Sequence, residues 1–262
     1  MPLRPMRDVP PVPPTGKPIF LSAWLAEARL QPILDRQECI IGFENLARFD
    51  GTGKLPIYKL SDDLLHSVTL ELLLGLRMRC LLDTHYHRQL NDQRGGQAMV
   101  RHFVNVEKRS LAKPAMVDEL IESAADLLST GAQLVVEVTE RPLEAPEAFK
   151  AYMNGLIRLR QEGVQVALDD YDIHSPIHWE LDLGLCDVVK LDLFDLGIAW
   201  RSDEAFMSDH YARLMERLYQ FIHRYPVELV AEKVETDWQY DLVKGLPFKL
   251  FQGYRLGRPE RV

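Results

Sequence analysis

Seven short apolar runs in this chain each lead into a side chain that can do chemistry. Ile40–Phe43 leads into Glu44, Phe103-Val104 into Asn105, and Leu134–Val136 into Glu137. Val166–Leu168 leads into the pair Asp169-Asp170, and Val188-Val189 into Lys190, with Asp192 two residues on. Leu229–Ala231 leads into Glu232, with Glu235 close behind, and Leu250-Phe251 into Gln252. A single polar residue at the end of an apolar run is ordinary, because there the chain is leaving the core. A series of acidic ends, together with an asparagine, a glutamine and a lysine, is a different matter if all of them face one place. Clustered carboxylates repel one another and are expensive to desolvate, and the ammonium of Lys190 cannot balance so many. One or two divalent cations would, and hard oxygen donors of the Glu, Asp and Asn kind suit Mg²⁺, Mn²⁺ or Ca²⁺. A two-ion carboxylate centre favours phosphoester hydrolysis, since the ions neutralise the phosphate, activate a water and stabilise in-line displacement. Neighbouring side chains diverge in a regular strand, so Asp169 and Asp170 serve one centre only if the strand ends there. Lys190 would balance charge at the phosphate or orient the nucleophile.

The elements that must position these residues follow from hydrophobic periodicity and turn signals. Ser22–Ala28 reads as a short helix, and Leu30–Leu34 and Ile40–Asn45 as strands joined in a hairpin by Asp35–Glu38. Ser61–Leu90 has leucines at helical spacing after the start signal Ser61-Asp62-Asp63, and a break at Arg94-Gly95-Gly96 precedes a strand over Met99–Val106. Helix and strand then alternate: helix Val117–Ser129, strand Leu134–Val138, helix Pro146–Glu162, strand Val164–Leu168, a short helical segment His178–Leu183 and strand Val188–Leu191. Helix Glu204–Tyr225, strand Glu228–Val230, helix Asp237–Lys244 and strand Leu250-Phe251 complete the series. Such alternation predicts an α/β protein with a parallel sheet. About eight strands favour a (β/α)8 barrel, whose C-terminal strand ends share one mouth. A doubly wound open sheet is the alternative, although no glycine fingerprint for dinucleotides or phosphates follows any strand.

Composition removes other classes. The 262 residues are 47% apolar, enough for a full core, and three cysteines make no disulfide framework, which suits a reducing cytoplasm. A net charge of −8 argues against a DNA or RNA polymer as ligand, and no apolar run approaches the ~20 residues of a membrane span. The prolines at 10, 11, 13 and 14 predict an extended tail over residues 1–20, with one barrel domain over 21–262 and no room for a regulatory domain.

The motifs, taken in order, resemble those of the EAL domain, the bacterial cyclic di-GMP phosphodiesterase domain. Gln31-Pro32-Ile33 is similar to the family's opening Q-P-I strand, and Glu44-Asn45-Leu46-Ala47-Arg48 to its E-x-L-x-R, with asparagine where alanine is usual. Phe103–Val106 resembles the asparagine strand, Glu137-Val138-Thr139-Glu140 the E-x-T-E motif, and Ala167–Tyr171 the A-x-D-D-F stretch. Val189–Asp192 resembles V-K-I-D, Val230–Thr236 resembles A-E-G-V-E-T, and Phe251–Pro259 resembles the terminal F-Q-G-Y-x-x-G-R-P. The resemblance implies a TIM-like EAL barrel with an antiparallel first strand. It also implies metal-dependent opening of one phosphodiester of cyclic di-GMP to give linear pGpG. In that reading Glu44, Asn105, Glu137 and Asp169 hold one Mg²⁺ or Mn²⁺, and Asp169 bridges to a second ion shared with Asp170. Lys190 and Glu232 contact the attacking water or the phosphate, Glu235 and Gln252 complete the site, Gln31 and Arg48 bind the ligand, and Glu140 supports the loop after the paired aspartates.

Two departures from the family pattern stand out. The family's glycine-rich loop after D-D-F is replaced by Asp172–His178, which has no glycine, and Lys233 stands where glycine separates the two late glutamates. They motivate the rival expectation of an inactive relative that senses cyclic di-GMP or binds a protein such as a transcription or motility regulator. A homodimer is a further expectation of the resemblance. His174 and His178 lie four apart with Pro176 between, which argues against a helical metal site; His85-Tyr86-His87 reads as solvated surface, and the cysteines as buried thiols.

Overall fold

Helices, several of which end at a glycine or proline, alternate with short strands of valine and leucine and wind this chain into a closed barrel. The computed structural model describes residues 25–49, 61–82, 91, 99–143, 145–198 and 206–261. The elements run β1 (Leu25–Asp35), β2 (Ile40–Phe49), α1 (Asp62–Leu82), β3 (Val100–Val106), α2 (Lys108–Leu111), α3 (Pro114–Ser129), β4 (Ala132–Val138) and α4 (Pro146–Gln161). They continue with β5 (Gln165–Leu168), α5 (Trp179–Asp182), β6 (Val188–Asp192), α6 (Phe206–Arg224), β7 (Glu228–Glu232), α7 (Asp237–Lys244), β8 (Leu250–Phe251) and β9 (Glu260–Arg261). Strands β2 to β8 pair in parallel in chain order, while β1 pairs antiparallel with both β2 and β8. That closure excludes the open sheet and bears out the antiparallel first strand; β9 adds to β1 outside the ring.

One expected element is corrected. Leu25–Ala28 is strand, not helix, because β1 continues upstream and pairs Ala28 with Ala47 and Leu25 with Phe49. The helical preference of its alanines yields to the ladder that β2 offers. Positions 22–24, the proline tail, the end of the first long helix beyond Leu82, the 85–87 segment and the 94–96 break lie outside the described residues. Helix α3 begins earlier than expected because Pro114 takes its first position, where a missing N–H costs nothing.

The core has two parts. Between the barrel wall and the helices lie residues such as Leu72, Leu76, Leu120, Tyr152, Leu156, Leu218 and Val243. Inside the barrel, each strand contributes one apolar residue to a separate cluster: Ile33, Ile41, Phe103, Val135, Ala167, Val188, Val230 and Leu250. This layer is the floor on which the strand-end residues stand. Cys80 and Cys186 are buried as expected, whereas Cys39 is exposed in the hairpin.

Candidate active site

Side chains on a strand return to the same face every second residue. Two residues beyond the apolar layer, β3 to β8 therefore present Asn105, Glu137, Asp169, Lys190, Glu232 and Gln252 to the barrel mouth. Strand β1 runs the other way, so Gln31, two residues before Ile33, joins the same level and pairs in register with Glu44. Strand β2 alone breaks the count, since Ile41 and Glu44 are three apart. The register supplies the reason: Leu34 faces Ile40 and Ile33 faces Gly42, so Ile41 is an extra residue in a bulge. Gly42 is needed beside it because a Cβ there would meet the Arg101 carbonyl.

These residues converge on the Lys190 ammonium. Its Nζ lies 2.6 Å from Glu137 Oε1, 2.7 Å from Glu232 Oε1, 3.3 Å from Asp169 Oδ1 and 3.5 Å from Glu44 Oε2. Asn105 Nδ2 donates to Glu44 Oε1 at 2.9 Å, and Gln252 Nε2 donates to Glu44 Oε2, so both oxygens of Glu44 are held by amides. Gln252 is fixed in turn by its backbone, which bonds to Ala231 and Val234, and Gly253 beside it lies so close to the Val234 backbone that no Cβ would fit. Glu235 is held by a capping box in which Thr236 accepts from Gln239 and the Gln239 side chain accepts from the Glu235 and Thr236 amides.

The electrostatics leave the centre short of positive charge. Burial works against the charge on Lys190, but Asp169, Glu137, Glu232 and Glu44 outweigh it and hold the ammonium above its usual range. Burial raises Glu137 well above the ordinary carboxylate range, the charge of Glu44 adds to the effect, and Lys190 opposes it. Burial pushes Glu232 up to about 8, again against Lys190. Glu137 Oε2 and Gln252 Oε1 are buried without a hydrogen-bond partner. A hard-oxygen donor set with raised carboxyls and an orphaned buried carboxylate oxygen fits a divalent cation.

Asp169 and Asp170 lie just past the end of β5, and Asp170 takes a left-handed φ of 40°, which breaks the alternation of a regular strand. Oxygens of Glu140, Asp169 and Asp170 all lie within 4.8 Å of one another. Among the described residues no hydrogen bond joins Glu140 to the loop 172–178. That loop is held otherwise: the Asp172 carboxylate accepts from the His174 amide in a side-chain turn, and the Tyr171 hydroxyl pairs with His178 Nδ1. The His178 ring then packs edge-on against Phe221 and Tyr225 of α6.

The mouth opens into a cavity of about 300 Å³ lined by Gln31, Glu44, Asp169, Asp170, Glu232 and Lys233, with Glu235, Gln252, Gly253 and Tyr254 completing it. A neighbouring cavity of about 250 Å³ shares Asp169 and Asp170 and is walled by Lys108, Glu140 and the 171–177 loop. Arg48 lies in β2, but its side chain is outside the described residues. Tyr254 was not among the expected site residues, and Asp192 was marked only as the carboxylate two residues beyond Lys190. Asp192 is buried and pairs with Lys233, and Tyr254 presents a half-exposed ring to the cavity with the Arg258 guanidinium 4.7 Å from its centre. The run Val188–Asp192 contained the signal for Asp192, the same two-residue step that selects Lys190.

The fold is thus a closed β/α barrel of the TIM-like class, with carboxylates gathered around a buried lysine at its C-terminal mouth. The chain belongs to the EAL domain family, whose model matches residues 24–259. It is 26% identical over 232 residues, 88% of its length, to the cyclic di-GMP phosphodiesterase CdgJ of Vibrio cholerae, and covers 43% of that protein. It is 27% identical over 158 residues, 60% of its length, to the probable cyclic di-GMP phosphodiesterase PdeG of Escherichia coli, and covers 29% of it. The chain thus spans less than half the length of these curated relatives. Among solved structures, the Bacillus subtilis YkuI protein, in complex with cyclic di-GMP and calcium, matches 90% of this chain and 55% of its own, at a TM-score of 0.63 and 18% identity. The Klebsiella pneumoniae BlrP1 manganese and cyclic di-GMP complex matches 89% of this chain and 55% of its own, at 0.63 and 23%. No helix among the described residues is long and apolar enough to cross a membrane.

Proposed function

We propose that the chain is a metal-dependent phosphodiesterase that opens cyclic di-GMP to linear pGpG and acts in the cytoplasm. The observation that carries this reading is the focus of Glu44, Glu137, Asp169 and Glu232 on Lys190 Nζ, with Glu44 clamped by Asn105 and Gln252. Glu44, Asn105, Glu137 and Asp169 would hold Mg²⁺ or Mn²⁺, with Asp170 at the edge of the same centre. The bound cation supplies charge neutralisation at the phosphodiester and acidification of the attacking water.

The chain's own residues do the rest. Lys190 fixes the orientation of Glu137 and Glu232 and balances their charge as the phosphate arrives. Glu232 in its ionised form takes the proton of the water as the water attacks phosphorus, the bond from phosphorus to the ribose 3′-oxygen breaks, and that oxygen leaves with a proton from solvent. Gln31, Gln252 and Arg48 orient the ligand; a guanidinium suits a phosphate through paired hydrogen bonds. Glu235 completes the rim, and Tyr254 offers a ring face on which a guanine base can stack. Glu140 acts on the paired aspartates that it approaches. Purified chain with Mg²⁺ or Mn²⁺ should release pGpG, and Glu44→Ala should abolish release; absence of product from the folded wild type overturns the reading.

A second reading is favoured by the pinned loop. Tyr171 and His178 tie 172–178 to α6, so a segment that is glycine-rich in the pattern the chain resembles is anchored here. A chain that binds cyclic di-GMP in calorimetry without turnover would be a sensor or a partner-binding protein.

A further inference from the structure

The backbone at position 233 is left-handed, with φ at 58°, a conformation that strains any side chain and that glycine adopts freely. A lysine is nevertheless placed there. Its ammonium is bonded to the Asp192 carboxylate and lies 3.5 Å from Asp170 Oδ1. Asp192 is anchored on its other oxygen, which accepts from the Phe194 amide at 2.8 Å, and its side chain is only 7% exposed. Asp170 is itself left-handed. Two non-glycine residues at the ends of β5 and β7 therefore both take a strained backbone conformation, and their side chains form an ion pair across the mouth.

We propose that the Lys233 ammonium takes the place of a second divalent cation at Asp170, so that this site holds a single ion at the Glu44, Asn105, Glu137 and Asp169 end. The inference rests on the metal-dependent reading of the site and deepens it. The ammonium stands 3.5 Å from an Asp170 oxygen that a second ion would need, and its charge repels a divalent cation brought within a few ångströms. Asp192 keeps the ammonium in place, and Lys190 remains the cation of the buried centre.

The test counts ions. The full chain, stripped with a chelator, is titrated with Mn²⁺ alone, and bound ions per chain are measured from the paramagnetic resonance of free Mn²⁺. Wild type should bind one. Lys233→Gly, which removes charge, bulk and strain, and Lys233→Met, which removes charge only, should each bind two, with the first affinity unchanged within about threefold. Two ions on the wild type, or one ion on both variants, overturns the proposal. A wild type that binds no Mn²⁺ overturns it together with metal dependence, whereas a chain that holds one ion and releases no pGpG overturns the proposed activity alone.

Discussion

The barrel interior contains two layers, two residues apart on every barrel strand except β2, where the bulge makes it three, and they are chemical opposites. The lower layer, from Ile33 to Leu250, is apolar and buried. The upper layer sets Glu44, Glu137, Asp169 and Glu232 around one ammonium. The same strand geometry positions both. The lower layer contributes stability by burial alone. The upper layer does so only while its charge is balanced.

Removing the centre of the upper layer should have the largest effect. Lys190→Met leaves four carboxylates facing one another, and breaking a buried ion pair on one side costs about 3–5 kcal/mol. Hydrolysis of cyclic di-GMP should fall by about 10³-fold, and the chelated variant should melt far below the wild type. Saturating Mn²⁺ should restore much of that melting temperature, because a cation can replace the lost charge. Loss of stability that Mn²⁺ does not restore would show that Lys190 serves packing instead.

The floor should respond in the opposite way. Phe103 is fully buried in the apolar layer, and Phe103→Ala should cost about 3–5 kcal/mol through lost contact and a residual cavity. Mn²⁺ should add the same increment to this variant as to the wild type, and the ion count should not change. A metal-dependent rescue would dissolve the distinction between the layers.

Much of this arrangement is legible in the sequence. Apolar runs ending in Asn105, Glu137, Asp169, Lys190, Glu232 and Gln252 carry their own registration, because a strand fixes the face of every second residue. Glu44 was legible as a run end and as the first residue of the E-x-L-x-R-like motif, but not from strand alternation. Its inward direction depends on the bulge at Ile41, which exists because β1 and β2 pair over different counts. Leu25–Ala28 misled because local helix preference and a distant strand partner compete, and only the partner's position decides. Lys233 was visible as a residue out of pattern, but its target was not. A left-handed backbone turns the side chain toward Asp170 and Asp192, and φ is not written in a lysine codon. The joining of His178 to Tyr171 likewise depends on α6, which lies far along the chain.

The smallest effect, and the finest probe of the upper layer, is pH. In chelator, Glu232 is pushed up to about 8 by burial, and Glu137 is raised in the same direction. Between the ordinary carboxylate range and about 8, the folded chain therefore keeps protons that the unfolded chain has released. Stability falls with rising pH wherever the folded state binds more protons, so this contribution is complete below the ordinary range and is lost as pH climbs toward about 8. Lys190, held above its usual range, stays charged throughout and adds no slope. The melting temperature of the chelated chain should decline across that window, and saturating Mn²⁺ should flatten the decline by stabilising the ionised carboxylates. A flat profile in chelator would mean that Glu137 and Glu232 are already ionised beside the Lys190 ammonium, and that the upper layer tolerates their charge without a bound cation.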